Sequence, residues 1–240
     1  MIFCWAISLI ALHIFIEIIK SKIVKKCIIL ANGKPPRKSV IKFLTDRHFN
    51  TLICADGGAN SARKLNLIPD FIIGDLDSIN ESTLNYFRGK SIIKKIRRQN
   101  DTDVEKCLKF AISKKISEAI LIGVTGDRLD HTFCNLGIML KFFNKIKLSL
   151  IAGTSYLSAC TGNIELKTFP QEIISLYGFN QKTKIKSEGL KYPLKSFPLP
   201  FGVRESTSNI AVTDKVKLTI TGGKIFIIRD FDNIKKNDII

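Results

Sequence analysis

The chain offers no C-x-x-C pair and no cluster of cysteine with histidine. Its six cysteines, Cys4, Cys27, Cys54, Cys107, Cys134 and Cys160, are widely separated. That spacing argues against a structural zinc site and a disulfide framework. It suits a reducing cytosol in which cysteines serve as small core residues. Proline and glycine are scarce, 7 and 15 residues in 240, so no collagen-like or low-complexity segment is expected, and no internal repeat is found. Acidic residues are outnumbered, 21 against 38 basic, for a formal net charge of +17. Such an excess invites a nucleic-acid reading. Yet the lysines are scattered, runs such as IIKKIRR are short, and no zinc-finger or RNP-type pattern accompanies them. Nucleic acid is therefore not an expected partner. The charge reads as solvated lysine-rich faces that attract anionic phosphates over a distance that salt shortens.

What is present is a globular composition, 45% hydrophobic and 25% charged, in a chain long enough for one large domain or two small ones. The first segment stands apart. MIFCWAISLIALHIFIEII is nearly all apolar and is followed by KSKIVKK. Length and basic flank fit a membrane helix, while His13 and Glu17 weaken that fit, because a carboxylate near mid-bilayer costs roughly 2.5 kcal/mol or more. A cleavable signal peptide fits less well, lacking a basic start and an A-x-A site. Residues 1–25 thus read as an extension with three open explanations: an anchor contacting the membrane through residues 1–20, an apolar helix packed on the protein, or a product of a misassigned start, although the next methionine is Met139. The expected location is cytoplasmic, with a cytoplasmic domain tethered by this helix as the alternative.

From residue 26 a regular alternation sets in. Short apolar runs, KCIILA, TLICA, DFIIG, SIIKKI, EAILIG and KLSLIA, alternate with helical patterns. That rhythm indicates βαβ units on a parallel sheet. After about residue 153 helical periodicity stops and short alternating segments take over, with TGGK between two of them reading as a hairpin turn. The expected architecture is α/β plus all-β: a Rossmann-like parallel-sheet domain over 26–152, an antiparallel β-sandwich over 153–232, and a tail over 233–240.

The acids fall at one place in this rhythm. Asp56 follows the second run, Asp75 and Asp77 the third, Asp101 and Asp103 the fourth, and Asp127 and Asp130, with Arg128 between them, the fifth. In a parallel sheet these loops leave from the carboxyl ends of the strands, the edge where open α/β sheets bind ligands. Crowded carboxylates repel one another unless a cation sits among them, and an all-oxygen site favours Mg²⁺ bridging to phosphates. Gly57–Gly58, Gly126, Thr102, Lys106 and Arg128 are groups suited to phosphate. Each loop taken alone also reads as a helix cap. His131 reads equally as a satisfied helix histidine or a catalytic one.

In order along the chain, ILANG, ADGGAN, PDFIIGDLDSI, QNDTDxxK, GDRLDH, GLKYPL and STSN resemble the thiamine pyrophosphokinases, from about Cys27 to Arg229. The resemblance implies transfer of an intact pyrophosphoryl group from ATP to the hydroxyl of thiamine, with Mg²⁺, giving thiamine diphosphate and AMP. It also implies a homodimer, with thiamine held between one subunit's α/β domain and the partner's sandwich. On that resemblance Asp75, Asp77 and Asp103 hold metal and phosphates, Gln99, Thr102, Lys106 and Arg128 contact the nucleotide, and Asp56 and Asp130 line the reaction site. Asp130 or Asp75 would take the proton. Tyr192 would pack against thiamine, with Thr207, Ser208 and Asn209 near the substrate. Asn100, where the family often has Asp, and Ile210, where many bacterial members have Glu, depart from the pattern, and the N-terminal segment is no family feature. Two alternatives remain: a pyrophosphokinase of the same fold acting on another small alcohol such as a hydroxymethylpterin, and a membrane-tethered anion-binding module without turnover.

Overall fold

The computed structural model describes residues 25–97, 100–126 and 128–239. The segment 1–24, Gln99 and Asp127 lie outside them. Six parallel strands form the first part: β1 (Lys26–Leu30), β2 (Thr51–Ala55), β3 (Phe71–Gly74), β4 (Ile92–Lys95), β5 (Glu118–Ile122) and β6 (Lys147–Ala152), in the spatial order β4-β3-β2-β1-β5-β6. The order reverses at β1, whose neighbours are β2 and β5. The inner strands are nearly all apolar because both faces are covered, as parallel sheets require. β4 is the open edge, and Lys94 and Lys95 place charge there, which discourages pairing with another chain.

Alternate residues of each strand face opposite layers. Cys27 and Ile29 point to a core shared with α4 (Asp103–Ser113) and α5 (Leu129–Lys141). Ile28 and Leu30 point to a second core shared with α1 (Lys38–Thr45), α2 (Gly58–Lys64), α3 (Glu81–Phe87) and α6 (Phe231–Lys236). Cys27, Cys54 and Cys107 are buried in these cores, where burial pushes the Cys27 thiol up to about 12. Among the described residues no helix is long and apolar enough to cross a membrane. The apolar N-terminal segment read from the sequence is not among them.

The second part is antiparallel: β7 (Ser155–Lys167), β8 (Ile173–Gly178), β9 (Lys184–Glu188), β10 (Lys195–Pro198), β11 (Ser206–Ile210) and β12 (Lys215–Asp230). It is not detached from the first. β6 pairs with β7, so one twelve-stranded sheet runs through both parts. β12 pairs with β7 along its length, with β9 through its first half and with β8 through its second. The two halves close over a core that includes Ile174, Leu176, Ile185, Leu218 and Ile227.

The hairpin expected at TGGK is absent. β12 continues through Gly222 and Gly223, and only the register with β7 shifts between Ile220 and Ile225. Gly222 has φ 74°, and a Cβ there would lie 2.1 Å from the Lys182 carbonyl oxygen. The glycines therefore mark a bend that carries one strand from one half of the sandwich to the other. The chain end also differs from a simple tail. α6 returns to the parallel part, where Phe231 packs edge-on against Phe43 of α1 at 5.5 Å between ring centroids.

Candidate active site

Parallel strands send the loops after β2, β3, β4 and β5 to one edge. There the structure brings Asp56, Asp75 and Asp103 together: one carboxylate oxygen from each lies within 4.8 Å of the others. Asp56 is 2% exposed. Its Oδ2 accepts a hydrogen bond from the Ser78 N–H at 3.1 Å, while its Oδ1 and the Oδ1 of Asp75 are buried without a partner. Burial, followed by the charges of Asp103 and Asp77, pushes the Asp56 carboxyl up to about 6, against the lowering pull of the Ser78 bond. Two orphaned, buried carboxylate oxygens and an oxygen-only donor set fit a hard divalent cation.

Asp77 stands at the solvent edge of the same group. The Ser78 hydroxyl donates to it at 2.9 Å, and that bond, followed by interaction with Asp56, holds its carboxyl below the usual range. Leu76, between the two motif acids, has φ 67° and packs, partly buried, against the core. This left-handed residue costs about 1–3 kcal/mol. With it the flanking acids part, Asp75 half-buried and Asp77 exposed. Gly74 ends β3 beneath the cluster. A Cβ there would lie 2.6 Å from Asp56 Cβ and 3.2 Å from Asp103 Oδ1, so only glycine lets the acids close in.

Lys106 supplies a fixed cation. It is 4% exposed, and its Nζ donates to Asp103 at 2.8 Å and lies 3.5 Å from Asp75. Burial acts to lower its pKa, but the bond to Asp103 and the charges of Asp103 and Asp75 together raise it. Thr102 has a structural task in this geometry. Its hydroxyl caps α4 by accepting from the Glu105 N–H at 3.2 Å, and Glu105 returns a bond to the Thr102 N–H at 3.0 Å. Glu105 also takes Lys141 of α5, joining the two helices.

Arg128 and Asp130 begin α5 on the same edge, after β5, on the far side of β1 from the acid cluster. They bind each other through two bonds, Nε to Oδ1 at 2.9 Å and a terminal nitrogen to Oδ2 at 2.6 Å, and both are exposed. The guanidinium holds the Asp130 carboxyl well below the usual carboxylate range. An exposed pair of this kind is worth little.

Three further side chains, which the motifs did not single out, shape this edge. Asn60 of α2 donates to the Ser78 carbonyl at 2.9 Å and accepts from the Asn80 N–H at 3.0 Å, clamping the loop that carries Asp75 and Asp77. Asn135, buried in α5, donates to the Val124 carbonyl at 2.7 Å and fixes the loop before Arg128. Glu105 is the third. Asn60 ends the ADGGAN stretch, and an amide four residues after Asp56 was the available signal.

The sequence profile of the thiamin pyrophosphokinase catalytic domain matches residues 45–150, and that of the thiamin pyrophosphokinase vitamin B1 binding domain matches residues 163–225. The chain belongs to the thiamine pyrophosphokinase family. A relative named thiamine pyrophosphokinase 1 from Oryza sativa subsp. japonica is 27% identical over 235 residues, covering 84% of this chain and 86% of its own. One named thiamin pyrophosphokinase 1 from Caenorhabditis elegans is also 27% identical, covering 88% and 92%. The crystal structure of thiamine pyrophosphokinase from Bacillus subtilis superposes with a TM-score of 0.74 at 24% identity, over 87% of this chain and all of that one, a likeness of fold.

The family's catalytic half contains all of the clustered acids, and its vitamin-binding half contains Tyr192 and the STSN stretch. Tyr192 is 59% exposed. Thr207 meets the Tyr177 hydroxyl at 3.1 Å, and the Ser208 N–H donates to Ser175 Oγ at 2.9 Å. Asn209 is 2% exposed and turns inward. These residues are not beside the acids along the sheet. Thr207, Ser208 and Asn209 stand on β11, which pairs with β8, and β8 joins the sheet through β12. A cavity of about 690 Å³ lies elsewhere, lined in part by Met139, Phe143, Tyr156 and Cys160, and none of the acids borders it.

Proposed function

We propose that the chain is a thiamine pyrophosphokinase that transfers the pyrophosphoryl group of ATP to the hydroxyl of thiamine, releasing AMP. The observation that carries this reading is the convergence of Asp56, Asp75 and Asp103 on one sheet edge, in a chain matched by both halves of the family. ATP and thiamine are the substrates. Mg²⁺ is the cofactor we assign to the cluster, held by Asp75 and Asp103 with Asp56, and Asp77 at its mouth. When bound, it would neutralise the charge that builds on the phosphate oxygens.

The remaining steps belong to side chains of this chain. Lys106 keeps Asp103 and Asp75 oriented inward before substrate arrives. Arg128 exchanges Asp130 for a phosphate oxygen and adds a second positive charge to the reacting group. Asp130, held at low pKa by Arg128, is a poor proton acceptor while that pair persists. Release of Arg128 to the phosphate would raise its basicity at the moment the thiamine hydroxyl must lose its proton. Tyr192 offers an exposed ring to the thiazolium and pyrimidine of thiamine. Tyr192 belongs to the half matched by the vitamin B1 binding profile, on none of the strands that carry the acids, and we assign completion of the site to the sandwich of a second subunit.

The direct test is incubation with thiamine, ATP and Mg²⁺ and analysis of both products. Thiamine diphosphate and AMP in equal amounts are expected. ADP as the nucleotide product, or turnover only with another alcohol, would contradict the reading. Tyr192→Ala should raise the thiamine KM, and an unchanged value would remove Tyr192 from the pocket.

A further inference from the structure

Asn209 is the most enclosed polar residue of the STSN stretch, and its side chain is fully engaged. Its Oδ1 accepts the Tyr192 N–H at 3.1 Å, and its Nδ2 donates to the Tyr192 carbonyl at 2.8 Å and to Ser206 Oγ at 3.1 Å. The reason lies in the backbone of β11. Beyond β11 the chain pairs with residues 189–191: the Val212 N–H donates to the Gly189 carbonyl, Leu190 bridges Ala211, and the Lys191 N–H donates to the Ile210 carbonyl. The next rung would fall at Tyr192. There β11 is irregular. Its register with β8 shifts between Ser206 and Asn209, and Ser208 is left-handed at φ 56°.

That bulge carries the backbone away, and the Asn209 amide takes its place. A primary amide has the donor and acceptor of a peptide group, so the side chain supplies the missing rung. The Tyr192 ring, by contrast, is mostly exposed. Its main chain is gripped at both the N–H and the carbonyl by one side chain, and the Lys191 ammonium lies 5.6 Å from its ring centroid.

We infer that Asn209 is a positioning residue of the thiamine site, acting through the Tyr192 backbone and not by touching substrate. The inference rests on the assignment of Tyr192 to the thiamine pocket. Alanine removes the rung. Aspartate keeps the size but sets a carboxylate oxygen against the Tyr192 carbonyl, and glutamine is one methylene too long.

The test is steady-state kinetics of the full chain for N209A, N209D, Y192A and N209A/Y192A, with thiamine and ATP varied separately. N209A and N209D are expected to raise the thiamine KM by about tenfold, with kcat and the ATP KM within about threefold of wild type. The double variant should be no weaker for thiamine than Y192A alone, because both changes remove the same contact. If N209A folds poorly, N209S, small and uncharged, carries the comparison. A normal thiamine KM in N209D or N209A beside a raised one in Y192A overturns the positioning role and leaves Tyr192 in the pocket. Additive effects, or equal losses in kcat and both KM values, overturn it as well. A normal thiamine KM in Y192A removes the Tyr192 assignment and this role with it.

Discussion

Asp56→Asn separates the acid cluster's effect on stability from its effect on catalysis. Asp56 is nearly enclosed, and its carboxyl is pushed from 3.8 to about 6, first by burial. Folding therefore favours the neutral form. The stability this provides is full below the unfolded value near 3.8 and is lost as pH rises through about 6. Linkage with these two values gives a cost of about 3 kcal/mol at about pH 7.5 and about 1 kcal/mol at about pH 4.5. Asparagine keeps an oxygen for the Ser78 N–H and carries no charge, so it escapes that cost. Without divalent cations, the stability of D56N relative to wild type should improve by about 2 kcal/mol between the acidic and the neutral condition. For a chain of this size that is about 4–8 °C in Tm. Urea or thermal unfolding of both proteins with a chelator present, at the two pH values, measures it. Added Mg²⁺ should then stabilise wild type at neutral pH more than it stabilises D56N, and D56N should lose activity. A stability difference that does not vary with pH would show that burial does not hold Asp56 in its neutral form.

Other changes probe other parts. Gly74→Ala places a Cβ 2.6 Å from Asp56 Cβ and should lower kcat by about 100-fold through misplaced acids; a value within a few-fold of wild type would show that the cluster tolerates spreading. Thr102→Ala removes the α4 cap and should cost about 1 kcal/mol in urea unfolding, whether or not ATP binding also suffers. Glu172→Ala strands Arg229, which it binds through two bonds in the sandwich interior, and should cost about 3–5 kcal/mol; unfolding within about 1 kcal/mol of wild type would show the pair is solvated.

Much of the site's placement could be read from residue order. Apolar runs followed by acids, repeated four times, require one rim once the strands are parallel, and they are. Asp75 and Asp103 stand on that rim as expected. Asp56 was legible on that rim, but that Asp56 and not Asp77 completes the tight group was not; Asp77 follows a left-handed Leu76 and stands exposed. Thr102 fitted both a phosphate contact and a cap; the returning bond from Glu105 establishes the cap. Strand alternation gave the antiparallel part but not its pairing, so the continuity of β6 with β7 was invisible. Gly222–Gly223 suits a hairpin or a bend equally, and Lys182, forty residues away, decides between them. The amide clamps of Asn60 and Asn209 act on backbone distant in sequence, which no local pattern records.

Carboxylates from three separate loops stand close enough to share one divalent cation. Mn²⁺ binding to the full chain, followed by electron paramagnetic resonance, tests it most directly. Wild type should bind one ion at the cluster, and D56N, D75N and D103N should each weaken that binding by at least about tenfold. Unchanged binding in all three variants would mean that the ion does not sit among these acids.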